Sequence, residues 1–355
     1  MKTKVRFDGA LLSAAAFLVA VIISALIMSA CGYAPFEAFR AILVGAFGGQ
    51  RAIAYTLAQA TPLIFTGLAF TFAKKSTIIN LGIEGQMYMG ALGTAIIGAM
   101  DLGLPALIHL PLSLIVGMAF GAAYAGIVGF MKVRFGSNEV IATIMLNSIA
   151  LLLVGYLLNG PLLAEGSSVA QTAKVLPSAQ LSRVFPKYQL SIAIFIAIAA
   201  CILIKWFIDR TVMGYEIRAV GLNARSAETA GISIGKVMVI SLCISGAIAG
   251  LSGASHVLGV DRRLIMGFSP GYGYEAIAVS ALAADNPLGI ILAGFIFGAL
   301  RAGAMELNRG TSIPVEFVNV IQAAVVILVS APLLVKDILL VDRISNWRRA
   351  AKKEA

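Results

Sequence analysis

Residues 52–75 read AIAYTLAQATPLIFTGLAFTFAKK, an uncharged run from Ala52 to Ala73 that stops at two lysines, Lys74 and Lys75. About 20 predominantly apolar residues in helical conformation cross the hydrocarbon core of a bilayer, so this run is long enough to span. Paired lysines at one end mark that end as cytoplasmic, because basic residues are retained on that side. The stretch therefore predicts a membrane helix of known direction, and the neighbouring runs extend the pattern both ways.

Upstream, Lys2, Lys4 and Arg6 precede an uncharged run from Gly9 to Phe36. Met28-Ser29-Ala30-Cys31 has some likeness to a lipoprotein cleavage site, but the run is too long for a signal peptide and further spans follow. Downstream come Ser76–Met100, interrupted by the polar motif at 80–86, then Leu104–Met131, Val140–Gly160 and Gln189–Ile208. Val237–Val260, the short run Gly273–Ala284, Pro287–Leu307 and Phe317–Val335 complete about ten membrane segments. Gly273–Ala284 is too short for a full crossing and reads as a short or re-entrant helix. This path places eighteen of the 27 lysines and arginines on one side, with both termini cytoplasmic and a basic cytoplasmic tail at 337–355. The long polar stretch 161–188 becomes an external loop and 209–236 a cytoplasmic one. The expected fold class is an all-α, polytopic transmembrane bundle forming a single transmembrane domain over 1–355. Small residues four apart recur at Gly117/Gly121, Gly246/Gly250 and Gly294/Gly298, where membrane helices can approach closely.

Composition agrees. Of 355 residues, 59% are hydrophobic and 12% charged, and the mean hydropathy is +0.93, far from the range of a soluble domain. The formal charge of +10 does not signal nucleic acid, because the basic residues flank apolar runs as topology requires. Three cysteines without a CxxC pair and two scattered histidines offer neither a disulfide framework nor a metal site. No nucleophile and base, cofactor or metal spacing points to an enzyme. Gly231-Ile232-Ser233-Ile234-Gly235-Lys236-Val237 is one residue short of a phosphate loop and lacks the hydroxyl residue after lysine. If transport here is driven by ATP, the ATPase is a separate chain, and ATP with Mg is bound there.

Polar residues inside apolar runs are costly in lipid and usually face a bundle interior or a water-filled path. Asn80, Gly82, Glu84, Gly85 and Gln86 form one such group, and Glu84 either lines a cavity or pairs with a lysine or caps a helix near the cytoplasmic end. Asn138 and Glu139 open the fifth span, where a carboxylate complements the helix dipole. Asn147 lies two turns further in and needs partners at depth. Glu275 and Arg301 either pair across helices or border a substrate path.

Between the sixth and seventh spans stands a polar island, 214–231, reading GYEIRAVGLNARSAETAG. Asn223 caps a helix of about two turns and Gly231 takes the left-handed conformation that ends it. Two turns are unstable alone in water, so this element is either part of a solvated loop or a docking surface that needs a partner.

With these pieces placed, the chain resembles the membrane permeases of ATP-binding cassette (ABC) importers in the type II-like family that serves ribose, branched-chain amino acids and nucleosides. It is most like the nucleoside or simple-sugar branch. The resemblance is carried by 79–86 (INLGIEGQ), 138–147 (NEVIATIMLN), 218–223 (RAVGLN) continuing through Ala230-Gly231-Ile232, and Asn286-Pro287-Leu288-Gly289, in order across most of the chain. It implies nucleoside import, with pentoses or branched-chain amino acids as alternatives, through a dimer of permeases in the plasma membrane of a prokaryote. A heterodimer is favoured over a homodimer by the length and the long N-terminal segment. Two cytoplasmic ATPases and an external substrate-binding lipoprotein are the implied partners. Coupling to the ATPase would fall on Arg218, Gly221, Asn223, Arg225, Ser226, Ala227, Glu228 and Gly231, and the translocation path on the polar residues from Asn80 to Asn147 together with Glu275. The competing class is an ion-coupled secondary transporter using Glu84 or Glu139 at a broken helix.

Overall fold

The computed structural model describes residues 17–310, 314 and 316–330, and among them every regular element is helical apart from two isolated bridges. The helices are α1 (Phe17–Ala30), α2 (Pro35–Phe47), α3 (Gln50–Lys74), α4 (Ile83–Ala99), α5 (Ala106–Phe135), α6 (Glu139–Asn159) and α7 (Ala193–Arg210). They continue with α8 (Val212–Leu222), α9 (Ala224–Thr229), α10 (Ile234–His256), α11 (Tyr272–Leu282), α12 (Gly289–Gly310) and α13 (Glu316–Ser330). Five of them, α3, α5, α6, α10 with its π-helical extension to Asp261, and α12, are long and apolar enough to cross a membrane. Each of the ten apolar segments predicted from the sequence contains one helix. The start of the first segment, the end of the last and the 337–355 tail lie outside the described residues.

α2 is a helix that hydropathy did not find, as is α8 in the cytoplasmic loop. Glu37 and Arg40 interrupt the apolar run there, yet Pro35 opens the helix and Ala38, Ile42 and Ala46, four residues apart, form one buried face that packs on α12.

The centre of the bundle is α3, α4 and α10. In the membrane windows of α3 and α10, 72% and 67% of residues are buried, against 33% in α5 and α6, whose outer faces are left for lipid. Close approach in the centre depends on the three small-residue pairs. A Cβ added at Gly121 or Gly250 would run into the backbone of the facing helix, α10 or α5, and one at Gly298 would lie 2.7 Å from the Ala60 amide nitrogen of α3. Pro62 stands inside α3 without an N–H for the Ala58 carbonyl, and the Ser252 hydroxyl of α10 donates to the Pro62 carbonyl at 3.3 Å, tying the two helices together there.

The 161–188 stretch is packed rather than free. Its backbone donates from Leu176 to Gly98, from Thr172 to Leu264 and from Leu181 to Leu258, and the His109 ring bridges Ser178 and the Ile97 carbonyl. Val175, Ala179 and Leu181 are buried beneath it, so the segment caps the ends of α4 and α10.

Candidate translocation and coupling site

The polar motif at 80–86 marks the place where a helix starts late. After α3 ends, Thr77 takes a left-handed φ of 65° and the chain runs irregularly to Gly82, the N-cap of α4. Such backbone at membrane depth must find partners within the protein. Asn80 supplies them: its oxygen accepts from the Gly82 amide and from Gln86 Nε2, both at 3.0 Å, and its nitrogen donates to Gln86 Oε1 and Ser245 Oγ, both at 2.9 Å. Asn147, reaching in from α6, donates to the Leu81 carbonyl at 2.7 Å and accepts from the Gly85 amide at 2.8 Å. A Cβ at Gly85 would sit 2.9 Å from Asn147 Oδ1 and 3.0 Å from its Cα, so a larger residue there would push α6 and the Asn147 amide away.

Glu84, 2% exposed, pairs with no lysine among the described residues. Its Oε2 accepts from the backbone amide of Gly273 at 2.6 Å, in the first turn of α11. The starts of α4 and α11 thus meet with one carboxylate between them, where the two helix dipoles both favour negative charge. The depth of this joint follows from Tyr272. Its hydroxyl donates to Gln59 Oε1 at 2.6 Å, and Gln59 lies about 13 Å along α3 from Gln50 and about 22 Å from Lys74, at 1.5 Å per residue. Both short helices therefore begin well inside the membrane. α4 rises to the face of Asp101, and α11 descends to Asp285, which pairs with Lys74 at 2.8 Å.

On the other side of α11, Arg301 of α12 donates to Glu275 from Nε at 2.9 Å and from Nη2 at 2.6 Å, and also to the Pro270 carbonyl. Its guanidinium stands 4.7 Å from the centre of the Tyr272 ring. Glu275 and Arg301 do pair across helices. Asn138 and Glu139 stand apart from all of this. Asn138 caps α6 by accepting from Val140 and Ile141, and Glu139 pairs with Lys132 at 2.6 Å. The structure gathers Asn80, Gly82, Glu84, Gly85, Gln86 and Asn147 into one knot and puts Glu275 beside it. Gln59 and Tyr272, not singled out by the sequence reading, complete the cluster. Gln59 carried the same signal as Asn147, an amide within an apolar run.

The 214–231 island folds into two helices. Thr211 caps α8 by accepting from the Gly214 amide at 3.0 Å. Asn223 caps α9 by accepting from Ser226 at 3.2 Å, and Gly231 follows with a φ of 83°. Ala227 is buried, whereas Arg225, Ser226 and Glu228 are exposed and the neighbouring Leu222 is 88% exposed. Gly221 rests on the Lys75 carbonyl so closely that a Cβ there would overlap it. Burial pushes the Lys75 ammonium below its usual range, and Arg218 lies 3.9 Å from Asp209, which also pairs with Lys205. The surface therefore joins α8 directly to the end of α3, and α9 packs on α8 and α10.

A multi-pass α-helical protein with late-starting helices at membrane depth and an exposed short helix at one face has the form of a transport permease. Residues 52–330 match the family described as "Branched-chain amino acid transport system / permease component", and the chain belongs to that family. It is 33% identical to the guanosine ABC transporter permease protein NupP of Bacillus subtilis, over 94% of this chain and 97% of that one. It is 31% identical to the nucleoside ABC transporter permease protein NupB of Lactococcus lactis, over 94% of each chain. It is 30% identical to the glucose ABC transporter permease protein TsgB13 of Haloferax volcanii, over 87% and 84%. No solved structure matches the chain significantly.

Proposed function

We propose that this chain is the membrane permease of a nucleoside importer in the plasma membrane of a prokaryote. The observation that carries the substrate class is the nearly end-to-end similarity to two permeases named for guanosine and nucleosides. In this reading two permease chains, most simply a heterodimer, enclose the path, cytoplasmic ATPases bind ATP and Mg, and an external binding lipoprotein delivers the nucleoside. The ATPase docks on Leu222, Arg225 and Glu228, with Ala227 holding α9 to the body. Its motion reaches the bundle where Gly221 meets Lys75 and continues into α11 through Lys74 and Asp285 and through the 2.7 Å contact of Thr71 with Ser280. The glucose-permease relative supports a second reading, the same machinery carrying a simple sugar.

The test is to purify the chain from its native host in mild detergent, beside a variant with residues 223–230 replaced, and to identify by mass spectrometry what remains bound. An ATPase present with the wild type and lost from the variant is expected. Uptake of nucleosides, pentoses and leucine by the intact complex then ranks the substrates. Absence of any ATPase, with uptake that follows an ion gradient, would overturn the importer reading.

A further inference from the structure

We infer that the pocket between the end of α2, the start of α3 and the last turns of α12 is a nucleoside subsite of the permease; this rests on the nucleoside reading above. The pocket encloses about 280 Å3, at the small end of ligand sites and suited to one small molecule. Its position fits an entry site. Arg51 and Arg309, which border it, lie at the ends of α3 and α12 remote from Lys74, so the pocket opens on the face opposite the coupling surface.

Its chemistry fits a planar, uncharged ring system carrying donors, acceptors and a sugar diol. The Tyr55 ring provides an aromatic wall, Arg51 and Arg309 provide guanidinium donors, and Glu306 provides an acceptor for hydroxyl or amino groups. Among the described residues none of these three charged side chains is within ion-pair distance of an opposite charge. At its back Gly45 packs against the Glu306 Cβ, where a Cβ would come within 2.6 Å, and Gly49 borders its open side.

The pocket is also wired to the centre of the bundle. The Tyr55 hydroxyl accepts from Gln59 Nε2 at 2.8 Å, Gln59 Oε1 accepts from the Tyr272 hydroxyl at 2.6 Å, and the Tyr272 ring lies under Arg301. Displacement of the Tyr55 ring by a bound base therefore acts on the first residue of α11. Tyr55 is the contact residue in this arrangement, and Gln59 is a positioning residue.

The experiment uses the intact importer in membrane vesicles, with radiolabelled guanosine for uptake and an azido-guanosine for photolabelling mapped by peptide mass spectrometry. Expected is label on peptides containing residues 44–55 or 302–309, competed by excess guanosine and reduced at least tenfold in Tyr55→Ala. Uptake by Tyr55→Ala should show KM raised about tenfold, the effect of losing one base-stacking side chain. Tyr55→Phe keeps the ring and cuts the link to Gln59, so its KM should stay within twofold while the maximal rate falls. Competable label confined to other parts of the permease, with normal guanosine uptake by Tyr55→Ala, would overturn the subsite and leave the nucleoside reading intact. Failure of the wild type to take up any nucleoside would overturn both.

Discussion

Glu84 allows reach and charge to be separated, and the geometry predicts which one matters more. Its carboxylate has three relations in the structure: a 2.6 Å contact with the Gly273 amide, a hydrogen bond with the Ser269 side chain, and a place beside the starts of α4 and α11. Replacing it with alanine removes the acceptor and leaves a buried N–H without its partner. Hydrogen bonds to charged groups contribute about 1.5–3 kcal/mol and an unsatisfied buried donor costs about 1–3 kcal/mol, so the overlapping loss for Glu84→Ala should be about 2–4 kcal/mol. Glu84→Gln keeps an oxygen at the same reach and gives up the charge, for which the dipole contribution of about 1 kcal/mol is the relevant scale. Glu84→Asp keeps the charge but withdraws the oxygen by one methylene, so the Gly273 contact opens and the loss approaches that of alanine. The expected order of stability is wild type, then Gln, then Asp, then Ala.

Thermal unfolding of the detergent-purified permease would check this order, with the apparent midpoint falling roughly 5–10 °C for Glu84→Ala on the scale of about 2–4 °C per kcal/mol. Uptake should follow the same ranking, because the joint between α4 and α11 fails before any path is altered. The opposite pattern, Glu84→Asp rescuing uptake while Glu84→Gln abolishes it at unchanged midpoint, would refute the argument. It would return Glu84 to an ion- or substrate-binding role.

Gly221→Val places a side chain into the Lys75 carbonyl and should abolish uptake at normal membrane levels of the protein, read by immunoblot against transport. Arg301→Ala and Glu275→Ala each break a pair whose side chains are less than one-fifth exposed, and each should cost about 2–3 kcal/mol, discounted from the 3–5 kcal/mol of a fully buried pair. Their double-mutant cycle should show a coupling of about 2 kcal/mol in thermal unfolding, and additivity would count against the pair. Gly250→Leu drives a side chain into the α5 backbone, an overpacking of 1–3 kcal/mol or more, and should lower the amount of folded permease recovered from membranes. Ala284, with a φ of 50°, holds a conformation that costs alanine about 1 kcal/mol, so Ala284→Gly should raise the unfolding midpoint by a few degrees.

The spans were legible because hydropathy acts on each segment alone: a run such as Ala52–Ala73 needs no neighbour to be read. The α9 caps were legible for a related reason, since Asn223 and Gly231 act on backbone within a few residues of themselves. α2 was not, because its buried face exists only against α12, and three small side chains at a spacing of four carry little hydropathy of their own. The site divides in the same way. Asn80 and Gln86 bond each other across six residues, and the motif announced itself. One partner of Glu84 is a backbone amide 189 residues away, and a backbone amide has no signature in any sequence.

The brevity of α11 connects these observations. Its eleven residues span about 16 Å, roughly half a bilayer core, so one end must stop where no water can satisfy its free amides. Glu84 accepts from one of them and Ser269 from another, at Tyr272. Arg301 fixes the flank through Glu275, and Asp285 fixes the other end to Lys74. A short helix held at both ends moves as a rod rather than by unwinding. On the proposed function, a push delivered at Gly221 against the end of α3 would therefore be felt at Tyr272 and Gln59 without any change inside a helix. The polar residues of this family motif then matter first as the joint of that rod, and the search for substrate contacts moves from Glu84 to the side of α3 that carries Tyr55.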